Sequence, residues 1–197
     1  VFKRNEYRVK DGVQGIFITT ILRNESDKAQ KVNTKSDLTK FDSTGMSSDG
    51  IFWADAINPA HKCGYAVGTR SLTGIDKIED TIQLIPGQEV VISRLFAVGT
   101  SPAQAVGVIR ATWANEVGIY RGKVTDPDGK AITTAVIQVQ DGSKTIPAYT
   151  DAQGNVEFMH PFGSFSIEAS DIGRNPQVIR GDHRDELIYP IKLEHAS

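Results

Sequence analysis

The sequence is poor in several features that mark particular classes of protein. Of its 197 residues only Cys63 is a cysteine, so no disulfide can form within the chain. We expect this residue to be a small buried hydrophobe. No apolar run approaches the roughly 18 residues that cross a bilayer, which predicts no transmembrane segment. The formal net charge is −2, so no basic face is indicated and nucleic acid is not expected as a partner.

Motifs of catalysis and metal binding are also missing from the sequence. The four histidines, His61, His160, His183 and His195, do not have the spacing of H-E-x-x-H, and there is neither a G-x-S-x-G elbow nor a P-loop. His160 precedes Pro161 in what reads as a turn, where a surface position is expected. We therefore predict that the chain is not an enzyme and that it binds no metal and no cofactor.

Short apolar runs of strand length fill the first hundred residues. Residues 16–22 are rich in β-branched side chains and end at a polar turn cluster, and residues 90–97 follow a Pro-Gly turn. Further strands are expected at residues 2–9, 51–54, 64–67 and 80–84. Residues 34–50 are polar and are expected to form a loop. The pattern predicts a β-sandwich domain over residues 1–100.

A helix start signal interrupts this strand pattern. Ser101 can cap a helix, Pro102 suits the first helical position, and Gln104 follows three residues after the cap. Apolar side chains then recur at helical spacing, at Val106, Ile109 and Trp113. The spacing predicts one short helix over about residues 101–114, within a helical linker of residues 101–117, with Trp113 as its core anchor.

Strands and tight turns alternate regularly over residues 118–197. The sequence Asp-Pro-Asp-Gly at residues 126–129 is typical of a type I turn, and residues 141–142 and 151–154 are further turns. Ala135, Ile137 and Val139 alternate with polar residues, as one buried strand face requires. The last predicted strand, residues 187–193, contains Pro190, which indicates an edge position. The fold class expected for the whole chain is mainly β, with two β-sandwich domains joined by a short helix.

Three of these motifs carry a resemblance to a known family. Residues 122–132, followed by the strand at 135–139, resemble the opening of a carboxypeptidase regulatory-like, or transthyretin-like, domain. Residues 150–158 and 161–169 are similar to its second and third signatures, in the same order. In that family the module is typically non-catalytic and adjoins a catalytic, transport or surface domain. The resemblance covers about two-fifths of the chain and implies an accessory role.

The first part of the chain resembles other β-sandwich modules. Residues 18–28 look like a strand and turn found in many such domains, the galactose-mutarotase-like sandwiches among them. The order of a sandwich followed by a transthyretin-like module is similar to the N-terminal accessory region of bacterial PHP-type metallohydrolases. Their catalytic His-x-His signature is absent here. The resemblance implies a secreted or periplasmic bacterial setting.

Two polar clusters are candidates for ligand binding. Aromatic rings flanked by carboxylates and amides suit a sugar, and this combination occurs at Asp49, Trp53 and Asp55, followed by Asn58, His61 and Tyr65. The alternative is that the aromatic residues fill the sandwich core or an interdomain seam. The second cluster, residues 180–186, has carboxylates that suit a hard cation, although neighbouring arginines compete for them. A charged hairpin loop is the alternative there.

Three functions follow from these observations. The first is a non-catalytic accessory or interaction module whose partner is a neighbouring domain or another protein. The chain starts at Val1 in strand-like sequence and ends directly after another strand, so we expect a mature product or a part of a longer protein. The second is a carbohydrate-binding protein that uses the Trp53 region. The third is an accessory part of a metal-dependent hydrolase.

Overall fold

A computed structural model describes residues 1–34, 43–58, 61–73, 81–113, 116–183 and 187–196. Over these residues the protein is mainly β, with a single helix between two groups of strands. We call residues 1–100 the N-terminal part and residues 117–196 the C-terminal part. No helix within the described ranges is both long enough and apolar enough to cross a lipid bilayer.

The strands and the helix follow one another in a simple order. The N-terminal part contains β1 (Phe2–Val9), β2 (Gly15–Arg23), β3 (Gln30–Asn33), β4 (Ser43–Met46), β5 (Phe52–Asn58), β6 (His61–Ser71), β7 (Thr81–Leu84) and β8 (Glu89–Gly99). Helix α1 (Pro102–Thr112) follows. The C-terminal part contains β9 (Val117–Thr125), β10 (Val136–Asp141), β11 (Lys144–Tyr149), β12 (Asn155–Pro161), β13 (Gly163–Ser170), β14 (Gln177–His183) and β15 (Leu187–Lys192).

The N-terminal part is built on a six-stranded antiparallel sheet. Its strand order is β1-β2-β8-β6-β5-β4, and β3 pairs with β7 in a separate two-stranded sheet. A small apolar cluster contains residues of β2, β7 and β8, namely Leu22, Leu84, Val90 and Ile92. The two-stranded sheet therefore packs on the half of the large sheet that contains β2 and β8.

The C-terminal part has two sheets with a core between them. One has the order β11-β10-β13-β14, and the other has the order β12-β9-β15, with β15 parallel to β9. Alternate residues of β10 and β13, such as Ile137 and Ile167, are buried, as a one-sided sheet requires. Tyr120 and Phe158 stack with ring centroids 4.7 Å apart at the centre of the core. Pro190 lies in the edge strand β15, as predicted.

Helix α1 begins where the capping signal predicts. The Ser101 side chain accepts a hydrogen bond from the Gln104 amide, and Pro102 occupies the first turn. The Gln104 side chain accepts from the amide of Thr100 at 2.7 Å, one residue before the cap. This geometry satisfies amide groups on both sides of the helix start.

The helix is packed between the two parts of the chain. Gly64 of β6 allows the closest approach, because a Cβ there would lie 2.0 Å from Ser101 and Pro102 backbone atoms. On the other side of the helix, a Cβ at Gly107 would lie 2.7 Å from the Cβ of Met159 in β12. One apolar cluster includes buried residues of the N-terminal sheet, the helix and the C-terminal core. The helix thus joins the two parts, and the domain limits at residues 100 and 118 stay a prediction.

Some local predictions were wrong. The predicted loop at 34–50 contains β4, a polar strand that is defined by its pairing with β5. Residues 35–42 of that predicted loop lie outside the described residues. Three further strands, β3, β11 and β14, were not predicted. Residues 180–183 belong to β14 and do not form a loop, since they pair with β13; residues 184–186 lie outside the described residues.

Two side-chain environments also differ from the predictions. His160 lies in β12 and is buried, with its ring nitrogens 2.8 Å from the Pro161 carbonyl oxygen and 3.1 Å from that of Gln140. It is therefore neither in a turn nor at the surface. Cys63 is half-buried, and its thiol donates to the Tyr65 hydroxyl at 3.4 Å. It is therefore not fully enclosed in the core.

Candidate functional site

A buried arginine near the end of α1 connects the two parts of the chain. Arg110 Nε donates to Asp49 Oδ2 at 2.9 Å, and its Nη2 donates to Asp49 Oδ1 at 2.7 Å. The same Nη2 lies 3.0 Å and 3.1 Å from the two carboxylate oxygens of Asp141. The side chains of Arg110 and Asp141 are only 3% and 4% exposed, and that of Asp49 is 38% exposed. One guanidinium therefore bridges a carboxylate from each part.

The loop before β5 and the β10–β11 turn hold this bridge in place. Asp141 ends β10, and it accepts from the Ser48 amide at 2.6 Å and from the Ser48 hydroxyl at 3.0 Å. Lys144, at the start of β11, donates to the Ser47 carbonyl at 3.2 Å. Gly142 turns the chain between the two strands with a φ of 61°. The turn that the sequence indicates at residues 141–142 is thus also a contact with the N-terminal part.

Charge pairing offsets the cost of burying these groups. Burial alone would raise the pKa of Asp49, but hydrogen bonds from Arg110 and Ser47 hold that pKa below its ordinary value. Burial alone would likewise lower the pKa of Arg110, and the two carboxylates raise it instead. Asp49 and Arg110 are therefore both charged over the physiological pH range.

A second set of contacts joins the two parts through β6 and β11. Lys62 Nζ donates to the carbonyl oxygens of Thr133 at 2.8 Å and Thr150 at 3.1 Å, and it lies 5.7 Å from the centre of the Tyr149 ring. The Tyr149 hydroxyl donates to the Asp55 carboxylate. Burial and this carboxylate both raise the pKa of Tyr149. The phenol therefore stays protonated and keeps its donor role.

A polar cleft opens beside these contacts. Its volume is about 920 Å³, and it is lined by Lys62 and Thr100 of the N-terminal part, by Gln104 of α1 and by C-terminal residues that include Arg121, Thr134 and Ala152. The lining contains an amine, a guanidinium, two carboxylates and several hydroxyl and amide groups. Such a surface can donate and accept hydrogen bonds with a polyhydroxylated ligand.

The structure divides the predicted sugar-binding residues between the two faces of one sheet. Trp53 and Asp55 of β5 pair with Ala66 and Gly64 of β6, so they lie on the face that packs on α1. Tyr65 is on the opposite face, where its ring stacks on Phe96 with centroids 5.8 Å apart. His61 is the first residue of β6, and its side chain lies outside the described part of the structure.

Three of those residues make internal contacts. Trp53 is 8% exposed, and it lies directly opposite Gly45 of β4, where a Cβ would come within 2.3 Å of the indole ring. Asp49 and Asp55 hold Arg110 and Tyr149 respectively. Trp53 therefore lies inside the protein in this structure, as in the alternative in which the aromatic residues fill the core or an interdomain seam.

Sequence reasoning missed the residues that join the two parts. Arg110 directly follows the apolar run of residues 105–109 in the helix, and a lone arginine beside such a run is a signal of a buried ion pair. Asp141 was interpreted only as a turn residue, and Lys62 and Tyr149 have no local signature. Among the residues that the structure describes, no group of three or more His, Cys, Asp or Glu side chains could hold a metal ion.

Comparison with known proteins reveals distant structural likenesses. No protein-family model matches the chain, and no curated protein matches it. The 3-chlorocatechol 1,2-dioxygenase of Rhodococcus opacus 1CP is similar with a TM-score of 0.37 and 9% identity, over 42% of this chain and 61% of the enzyme. The chain therefore spans less than two thirds of that enzyme.

Two further structures are similar over nearly the whole chain. The Bacillus anthracis TIE protein has a TM-score of 0.34 and 14% identity, over 98% of this chain and 41% of that one. GBS52, the minor pilin of Streptococcus agalactiae, has a TM-score of 0.34 and 11% identity, over 98% of this chain and 89% of the pilin. At these TM-scores the likenesses carry no functional argument.

Proposed function

We propose that the chain is a non-catalytic accessory module whose two parts form one rigid unit that positions a neighbouring domain or protein. The observation that supports this function is the Arg110 bridge. A planar guanidinium that is hydrogen-bonded to carboxylates from both parts restricts their relative rotation as well as their separation. Burial of the bridge protects it from screening by salt.

The second set of contacts supports the same proposal. Lys62 and Asp55 contact the C-terminal part through Thr133, Thr150 and Tyr149, away from the Arg110 bridge. Two separate attachments resist a hinge motion that either one alone would permit. The family resemblances extend the proposal to a secreted or periplasmic bacterial protein, and a metal-dependent hydrolase is one such setting for the module.

Electron paramagnetic resonance distances between the two parts test the proposal. Spin labels are attached at the exposed positions Lys31 and Gln153 in a Cys63→Ser background. We expect one narrow distance distribution, which Arg110→Met broadens. Arg121→Met, which removes an exposed ion pair with Glu157, serves as the control and leaves the distribution unchanged. A broad distribution in the unmodified chain would rule out a rigid spacer.

Carbohydrate binding is the second candidate function. The observation that favours it is the polar cleft between the two parts, whose hydroxyl, amide and charged groups suit the hydroxyls of a sugar. Asp55 contributes indirectly, because it positions Tyr149 in the wall of this cleft. Trp53 is the other candidate contact, and because it is only 8% exposed, a sugar reaches its ring only after a local rearrangement.

A glycan-binding screen with two variants separates these possibilities. Ala152→Trp adds a bulky side chain to an exposed turn of the cleft, and Trp53→Phe keeps an aromatic ring in the core. Loss of binding in Ala152→Trp alone identifies the cleft. Loss in Trp53→Phe alone, with an unchanged melting temperature, identifies the Trp53 region. If the unmodified chain binds no glycan, the carbohydrate function is excluded.

A further inference from the structure

Strand β1 is an exposed edge of the six-stranded sheet. Among the strands that the structure describes it pairs only with β2, and all eight of its residues, Phe2–Val9, are exposed to solvent. Apolar surface is included, since Tyr7 is 69% exposed and Val9 is 72% exposed. Within the described part of the chain, the backbone donors and acceptors on the outer side of β1 have no partner strand, and they are a template for another strand.

Three other edges in the structure have features that limit strand addition. Pro147 lies in the edge strand β11 and Pro190 in the edge strand β15. At the opposite end of the large sheet, β4 has only four residues. Strand β1 has eight residues and contains neither proline nor glycine. It is therefore well suited to extend its sheet.

Symmetry limits how β1 can pair with a second copy of itself. In an antiparallel pair, the side chains of two residues that face each other point to the same side of the sheet. A two-fold axis perpendicular to the sheet leaves each residue of the second copy on the same side as in the first. Two facing residues therefore both have even numbers or both have odd numbers, and the sum of their numbers is even. A sum of 10 or of 12 gives the longest overlap. A sum of 12 places Glu6 opposite Glu6 and Arg4 opposite Arg8, which is repulsive.

The register with a sum of 10 is complementary in charge. It places Arg4 opposite Glu6 twice, once on each side of a central pair of Asn5 residues. It also places Lys3 opposite Tyr7, where a cation–π contact can form. We infer that the chain forms a two-fold dimer in which the β1 strands of two copies pair antiparallel, with Asn5 at the axis. The two large sheets then become one continuous sheet.

Charge reversal tests the dimer in the full chain. Sedimentation equilibrium is measured for the unmodified chain, for Arg4→Glu, for Glu6→Arg and for the protein that carries both changes. Each single change converts both opposite-charge pairs to like-charge pairs, and we expect dimerisation to weaken roughly ten- to a hundredfold. The double change restores opposite charges and is expected to restore the dimer. Glu157→Arg, on an exposed ion pair in another sheet, is the control and leaves the dimer unchanged.

Disulfide cross-linking tests the register independently. In a Cys63→Ser background, Asn5→Cys places two thiols opposite each other at the axis, so oxidation is expected to give a covalent dimer. Tyr7→Cys is the matched control, because in this register the two introduced thiols are separated by four residues along the strand, about 13 Å. Cross-linking of Tyr7→Cys in preference to Asn5→Cys would overturn the register.

Two further outcomes would overturn the inference itself. If the chain is monomeric at every accessible concentration, the charges of β1 serve to protect the edge from pairing. A dimer that neither single charge reversal weakens must use another surface. Circular dichroism of each variant checks that β1 changes have not unfolded the N-terminal part.

Discussion

Arg110 combines a deeply buried charge with partners on two distant segments. Removal of one member of a buried ion pair leaves the other charge desolvated and without its partner, which typically costs 3–5 kcal/mol. In Arg110→Met the carboxylate of Asp141 keeps its hydrogen bonds from Ser48, and Asp49 is partly solvated. We therefore expect a loss of about 3 kcal/mol in the free energy of unfolding, measured by urea denaturation.

A matched substitution at the surface gives the comparison for this prediction. Arg121 and Glu157 form a cross-strand ion pair whose side chains are 44% and 46% exposed. Such pairs contribute less than about 1 kcal/mol, so Arg121→Met is expected to change stability little. If Arg110→Met and Arg121→Met lowered the free energy of unfolding equally, the buried bridge would stabilise the fold no more than an exposed ion pair does.

The lowered pKa of Asp49 gives a pH dependence with a definite sign. A carboxylate whose pKa is lower in the folded state stabilises the protein above the unfolded value, near 3.8, and loses that contribution as the pH falls through the folded value. Melting temperatures are compared for the unmodified chain and Asp49→Asn. We expect a constant difference at neutral pH that shrinks as the pH falls below about 4.

The cause of this pH dependence can be tested in a second background. Arg110 and Ser47 lower the pKa of Asp49 by hydrogen bonding, and Arg110 also supplies the opposite charge. In Arg110→Met, the substitution Asp49→Asn should therefore change the melting temperature much less at neutral pH. If Asp49→Asn changes the melting temperature as much in the Arg110→Met background as in the unmodified chain, contacts other than the guanidinium cause the pH dependence.

At the scale of elements, Gly107 shows how packing overrides helix propensity. Alanine is favoured over glycine by about 1 kcal/mol inside a helix. A Cβ at Gly107, however, would lie 2.7 Å from the Met159 Cβ and 3.0 Å from the Met159 carbonyl oxygen, neither of which can move without β12. Gly107→Ala is therefore expected to destabilise the protein by about 1–2 kcal/mol in thermal denaturation.

A control on the same helix separates packing from propensity. Ala111 is exposed, so Ala111→Gly is expected to cost about 1 kcal/mol through propensity alone. In Gly107→Ala, hydrogen exchange of the β12 amides should become faster than the loss in global stability explains. In Ala111→Gly it should follow the change in global stability. An increase in stability for Gly107→Ala would show that α1 and β12 are not in such close contact.

The elements that sequence predicts are those with local signals. The helix start follows from Ser101 and Pro102, and the turn at residues 126–129 forms as expected, with the Gly129 amide donating to the Asp126 carbonyl at 3.0 Å. Strand β4 has no such signal, because its four residues are ordered by pairing with β5. Candidate site residues were harder to predict, since Asp49 and Asp141 meet only after both parts have folded and packed on α1.

At the scale of the whole molecule, the two parts share one apolar cluster. It includes Leu95 of β8, Ile109 of α1 and Ile167 of β13, all buried. The residues of α1 that face each part are also buried, so separation of the parts would expose apolar surface on both. The polar contacts of Arg110 and Lys62 lie at this seam. Unfolding of one part therefore removes contacts that stabilise the other.

This coupling predicts a single cooperative unfolding unit in the unmodified chain. Native-state hydrogen exchange is followed in increasing urea for the most protected amides of β8 and β13. We expect equal opening free energies in both strands, because their slowest exchange requires global unfolding. In a variant that carries Arg110→Met and Lys62→Met the two values should separate, while Arg121→Met keeps them equal. Different values in the unmodified chain would mean that each part opens independently, and the seam would then be a contact between autonomous domains.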